Sequence, residues 1–137
     1  MAEPVSPDVI VYFCTNSVGK DFVIPRQWKQ DGAHVVVRVV PCSGKLDAQY
    51  LFHALEGGGY GICVAACPEG QCKLMQGNYR ARVRVATVGK LLGEMGLESE
   101  RAQLVCAEQD ESAESFLVRV REAVTTICAL GKVEVAT

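Results

Sequence analysis

Short runs of β-branched and aromatic residues alternate along this chain with segments of helical spacing, and that alternation restricts it to an α/β arrangement. Residues 8–13 read as a buried parallel strand, because they alternate little and carry Val9, Ile10, Val11, Tyr12 and Phe13 in succession. Further strands are expected from His34 to Val40, from Tyr60 to Ala66 and from Gln103 to Ala107. Asp21 to Trp28 reads as a loop followed by a short helix, with Pro25 in its first turn.

Helical segments fill the intervals. Ser43 is placed to cap a helix from Asp47 to Leu55, which ends in Gly57-Gly58-Gly59. A longer helix is expected from Asn78 to Met95, stopped by Gly96. A last one runs from Ser112 to Leu130, with Phe116, Val120, Ala123, Val124 and Ile127 on one face and Gly131 as its stop. Short connections and right-handed crossovers then give a small flavodoxin-like open parallel sheet of about four strands, order 2-1-3-4, flanked by helices. Residues 8–131 form its single domain, and 1–7 and 132–137 are expected to be tails.

Against that frame the cysteines acquire positions. There are seven in 137 residues. Cys14 closes the first strand, Cys42 follows the second, Cys67 closes the third, and Cys72 comes five residues later in Cys-Pro-Glu-Gly-Gln-Cys. In an open parallel sheet the segments beyond the carboxyl ends of adjacent strands share one crevice, where ligands bind. Four thiols there read as a metal or cluster site. The four residues between Cys67 and Cys72 match a ligand spacing of plant-type ferredoxins. Cys63 and Cys128 fall within elements and are expected to be core, as is Cys106, which lies near the sheet's carboxyl edge.

Composition narrows the setting. With 49% hydrophobic and 22% charged residues the chain is ordinary for a globular domain. A net charge of −2 and the lack of a basic run argue against nucleic acid as a partner. The apolar stretches are strand-length, so no membrane span is expected. The amino terminus lacks the pattern of an export signal, and the cysteine count then points to metal or redox chemistry in the cytoplasm rather than a disulfide framework.

The cysteine motifs also carry a resemblance. Phe13-Cys14-Thr15-Asn16, Val39-Val40-Pro41-Cys42-Ser43-Gly44-Lys45-Leu46-Asp47, and above all Ala66-Cys67-Pro68-Glu69-Gly70-Gln71-Cys72 running into Gln76-Gly77-Asn78-Tyr79-Arg80-Ala81 resemble the methyl-viologen-reducing hydrogenase delta subunit family. The resemblance extends over roughly residues 8–131. It implies a non-catalytic iron–sulfur subunit of an anaerobic redox complex, with a [2Fe–2S] cluster held by Cys14, Cys42, Cys67 and Cys72. Electrons would pass between a hydrogenase or formate dehydrogenase module and a flavin-containing heterodisulfide-reductase-like subunit. Thr15 and Val18 stand where the family carries extra cysteines, and Lys73 where it has a histidine, leaving four matching thiols.

Two other uses of the same thiols are compatible with the residues. Four thiolates satisfy tetrahedral zinc, which would make the chain a structural zinc-binding interaction module. Cys67 and Cys72 alone could serve a thiol redox enzyme or sensor, although the C-x-x-C spacing of thioredoxin-like motifs is absent. Lys45, Lys73 and Arg80 supply positive charge near the cysteines in sequence, and Gly44 and Gly70 allow close backbone approach. His34 and His53 have no ligand-like spacing. Trp28 is equally suited to a core or a docking face, and the acidic run from Glu108 to Glu114 reads as solvated surface.

Overall fold

The computed structural model describes residues 8–14, 24–40, 59–66, 77–108 and 111–131. Within these, five strands form one sheet in the order β2-β3-β1-β4-β5. They are β1 (Val9–Cys14), β2 (Gln27–Gln30), β3 (Ala33–Val40), β4 (Gly61–Ala66) and β5 (Ala102–Cys106). The helices are α1 (Gly77–Glu94) and α2 (Ala113–Ala129), and a 3-10 turn, Ser99–Arg101, leads into β5. The central strands β3, β1, β4 and β5 are mutually parallel, in the 2-1-3-4 order expected from the alternation.

β2 is an addition to that order. It pairs antiparallel with β3 at the sheet edge, where a loop and short helix were expected to end at Trp28. The cause is the two-residue turn Asp31-Gly32, with φ of 51° and 81°. Positive φ at both positions matches the right-handed twist of a hairpin, and Asp-Gly is a sequence signal for it. Once the turn forms, Trp28 pairs with Val35 and Gln30 with Ala33. Side chains then lock the hairpin to α2: Gln30 Nε2 donates to the Arg121 carbonyl at 2.8 Å and to Thr125 Oγ1 at 2.7 Å. Trp28 packs against the core with the Arg121 guanidinium 5.3 Å from its ring centroid. That assigns it to intramolecular packing.

Each face of the sheet buries a separate apolar layer. Val9, Val11 and Phe13 of β1, Val35 and Val37 of β3, and Cys63 and Ala65 of β4 pack against Phe116, Val120, Ala123, Val124 and Ile127 of α2. These are the helix's five buried residues, as the 3.6-residue period required. On the opposite face Ile10, Tyr12, Ile62 and Val64 meet Val85, Val88 and Leu92 of α1. β1 and β4 are covered on both sides, which explains why they read as continuous apolar runs.

The helix ends follow local chemistry. The Ser112 side chain accepts from the Ser115 amide at 3.1 Å and starts α2. Gly96, with φ of 81°, stops α1: Leu97 N reaches back to the Leu92 carbonyl at 2.8 Å, the longer bond of a Schellman turn. Gly131, with φ of 79°, does the same work after α2.

At the amino edge of β4 one buried charge joins three elements. Arg101 is 3% exposed. Its Nη1 donates to the carbonyls of Tyr60 at 2.9 Å and Gly131 at 2.6 Å, and its Nη2 to Leu130 at 3.2 Å. Its Nε donates to Glu98 at 2.7 Å. The guanidinium thus takes the place of water on the last carbonyls of α2, where the helix dipole favours a cation.

Candidate metal centre at the carboxyl edge of the sheet

Parallel pairing brings the carboxyl ends of the cysteine-bearing strands into one row. Cys14 is the last residue of β1 and pairs with Val40, the last residue of β3, two positions before Cys42. On the other side of β1, Phe13 pairs with Ala65, and β4 ends at Ala66, directly before Cys67. Neighbouring strands lie ~4.8 Å apart, so the ends of β3, β1 and β4 together span roughly 10 Å. α1 begins at Gly77, five residues after Cys72. Cys42, Cys67 and Cys72 lie outside the described residues, and Cys14 is described by its main chain alone. The strand ends next to Cys14, Cys42 and Cys67 are therefore what the structure describes of this expected set. The supporting residues Gly44, Lys45, Gly70 and Lys73 lie outside the described residues as well. Among the described residues no group of three or more His, Cys, Asp and Glu side chains could hold a metal ion.

The donor set itself fits a thiophilic centre. Four thiols offer sulfur to iron or to zinc. Among the described residues no imidazole reaches this edge. His34 sits at the opposite end of β3: its amide donates to Asp8 Oδ2 at 2.8 Å and its Nε2 meets Gln27 Oε1 at 2.9 Å. It belongs to the hairpin and its anchor.

The remaining thiols divide by burial. Cys63 is fully buried, and desolvation pushes its thiol up to about 12. It is core, as expected. Cys128 is half-buried at the end of α2, its Sγ 3.8 Å from the Gln30 carbonyl. Burial raises its pKa, and the nearby Asp31 and Asp8 charges add to the effect. Cys106 departs from the expectation of a core residue: it is half-buried and occupies the last position of β5. It pairs with Ala66, and the next amide, Ala107 N, donates to the Ala66 carbonyl at 2.9 Å. β5 therefore continues the row set by β3, β1 and β4.

Among the described acids of the acidic run, Glu108 and Glu114 are exposed, as expected, and Glu111 alone departs from that expectation. Glu111 has a side chain only 7% exposed. Its Oε1 accepts from the Glu108 amide at 2.9 Å and from Arg119 Nη1 at 2.7 Å, and its Oε2 from the Ser115 hydroxyl at 3.0 Å. Burial alone would raise the pKa of this carboxyl; the Glu108 amide, the Ser115 hydroxyl and the Arg119 charge more than offset that and hold it below the ordinary glutamate value. Arg119 Nη1 also donates to the Cys106 carbonyl at 3.0 Å. Composition showed a cluster of acids here, but only folding of the turn onto α2 selects the one that is buried.

On the α2 face of the same edge, Phe116 meets Phe13 edge-on, with ring centroids 5.5 Å apart at 69°. Phe13 immediately precedes Cys14, so the first turn of α2 packs against the last side chain before that cysteine.

A five-stranded, mostly parallel sheet with one helix packed on each face defines a small open α/β protein. A sequence model of the family described as methyl-viologen-reducing hydrogenase, delta subunit, matches residues 9–131, and the chain belongs to that family. It is 33% identical over 106 residues to the iron-sulfur subunit of an F420-non-reducing hydrogenase from Archaeoglobus profundus, covering 76% of this chain and 77% of the relative. The iron-sulfur subunit of the F420-non-reducing hydrogenase vhu from Methanopyrus kandleri is 31% identical over 117 residues, 83% of this chain and 87% of that one. Part of the ferredoxin:CoB-CoM heterodisulfide reductase of Methanosarcina mazei is also similar. One of its subunits is 28% identical over 98 residues, which are 72% of this chain and 12% of the larger protein.

Proposed function

We propose that this chain is a non-catalytic electron-transfer subunit, carrying a [2Fe–2S] cluster on Cys14, Cys42, Cys67 and Cys72. The observation that carries the reading is the common row of β3, β1 and β4 ends, each leading into or ending at one of these cysteines. The relatives named iron-sulfur subunits support iron over zinc. When bound, such a cluster supplies one-electron oxidation and reduction at the sheet edge.

The chain's own residues have the remaining tasks. β1 and β4, buried on both faces, hold Cys14 and the approach to Cys67 on a rigid base. The amino end of α1, at Gly77, is suited to favour negative charge nearby. The partners in this reading are a hydrogenase or formate dehydrogenase module and a flavin-containing heterodisulfide-reductase-like subunit. Similarity both to a segment of a heterodisulfide reductase and to hydrogenase iron-sulfur subunits supports that pairing. A cytoplasmic location accords with it, and no described helix is long and apolar enough to cross a membrane.

Anaerobic purification followed by iron, sulfide and zinc analysis, with visible and EPR spectra of the same sample, tests the proposal. About two irons and two sulfides per chain, with an S = 1/2 signal on reduction, are expected. Zinc without colour would replace the relay by a structural clamp. Reactive, metal-free Cys67 and Cys72 that interconvert with a disulfide would replace it by thiol redox chemistry. Cys67→Ser and Cys72→Ser should each abolish the chromophore; a retained spectrum removes that residue from the ligand set.

A further inference from the structure

We infer that Arg119 and Glu111 act as a pair of opposed charges that sets the electrostatic potential at the carboxyl edge of β4 and β5. They thereby position the reduction potential of a centre held there. The inference rests on the electron-transfer reading and adds residues that no cysteine pattern points to.

The geometry is continuous from the pair to the crevice. Arg119 Nη1 bridges Glu111 Oε1 at 2.7 Å and the Cys106 carbonyl at 3.0 Å. Cys106 faces Ala66 across the ladder, and Ala66 is bonded to Cys67. One hydrogen bond, one strand pairing and one peptide link therefore separate the guanidinium from an expected ligand. Hydrogen-bond length and strand spacing put the guanidinium on the order of 8 Å from Ala66 at the end of β4, within the Debye length of about 10 Å at 0.1 M salt.

The pair is also held in place. Glu111 is 7% exposed and Arg119 35%. The Glu108 amide and the Ser115 hydroxyl complete the carboxylate's hydrogen bonding. An anchored carboxylate held below its ordinary pKa stays ionised through the neutral range, so the two charges are a permanent dipole. A purely structural clamp would need only the hydrogen bonds. Here the cation also contacts the strand that borders the crevice.

Opposed charges give opposed consequences. Arg119→Gln leaves the Glu111 carboxylate uncompensated, which disfavours adding an electron to an anionic centre and should move its midpoint potential down. Glu111→Gln leaves the guanidinium uncompensated and should move it up. The double variant R119Q/E111Q should return close to the parent, and Arg119→Lys should keep most of the parent potential. Both single shifts should shrink as salt is raised.

The test is an anaerobic redox titration of the cluster-loaded protein and these four variants, followed by visible absorption and EPR. Thermal melts of the same samples define the temperature at which each is folded. Shifts of opposite sign that cancel in the double variant support the inference. Single variants that shift in the same direction, or not at all, while the parent holds a reducible centre, refute it and leave the electron-transfer reading intact. A folded parent with no reducible centre refutes both. Should E111Q not fold, the neutral double variant against R119Q alone decides: potentials that coincide overturn the inference.

Discussion

Replacing Arg101 by Met should remove much of the stability of this domain while leaving its cysteine edge untouched. The guanidinium is 3% exposed and donates to three main-chain carbonyls, those of Tyr60, Leu130 and Gly131. Hydrogen bonds from a charged donor contribute about 1.5–3 kcal/mol each, and an acceptor left buried without a partner costs about 1–3 kcal/mol. The Leu130 contact is long at 3.2 Å, and Leu130 and Gly131 are half-buried, so water can re-solvate two of the three acceptors. The lower end of the range applies, and the expected loss is about 3–4 kcal/mol. For a domain of this size that corresponds to a fall in Tm of about 10–15 °C. The carboxylate partner Glu98 lies in water on one side, its side chain 46% exposed, so Glu98→Gln should leave the melt nearly unchanged. Arg101→Lys should fall between, since an ammonium reaches fewer carbonyls than the fork does. Melts followed by far-ultraviolet circular dichroism, at matched metal content, measure all three. A loss below about 1 kcal/mol for Arg101→Met, or equal losses for Arg101→Met and Glu98→Gln, would refute the assignment of the stabilising work to the carbonyls.

Three further outcomes are expected. Gly61→Ala would place a Cβ against the Arg101 carbonyl oxygen and 2.7 Å from Ile127 Cγ2, so it should cost about 2–3 kcal/mol or more, read from the same melts. Cys63, its thiol pushed up to about 12, should resist alkylation at pH 8 in the folded protein and react after unfolding; mass spectrometry of the labelled peptides checks this. Glu111, with a folded pKa below 4.5, contributes stability that is fully present above that value and is lost as pH falls through its folded pKa. The Tm difference between the parent and Glu111→Gln should therefore be constant at neutral pH and narrow as acid is added below about pH 4.5; an unchanged gap at pH 3 would refute the half-buried ion pair as its source.

The amino acid order determined the parallel core and the stripe on α2 without help from tertiary contacts. Val9 to Phe13 and Ile62 to Ala66 are unbroken apolar runs because their strands are covered on both faces, and Phe116 to Ile127 keep a helical period. Gly96 and Gly131 were legible as stops because a left-handed residue ends a helix locally. The hairpin was also written locally, in Asp31-Gly32, yet the apolar residues Phe22, Val23 and Ile24 ahead of it mimic a helix start. The parallel order β3-β1-β4 follows from the same alternation, which is why the candidate centre was legible as a spacing.

Long-range charges were not visible in that way. Arg101 resembles any arginine in a polar turn until β4 and the end of α2 arrive beside it, 41 and 30 residues away. Glu111 is one carboxylate among several until Arg119, eight residues on, closes over it. Cys106 was legible near the carboxyl edge, and its half-burial and its register with Ala66 came only from the sheet. Apolar periodicity reports how an element packs because every position on one face obeys it. A single buried charge obeys no period, and its partners come from whichever backbone the fold brings within hydrogen-bonding distance.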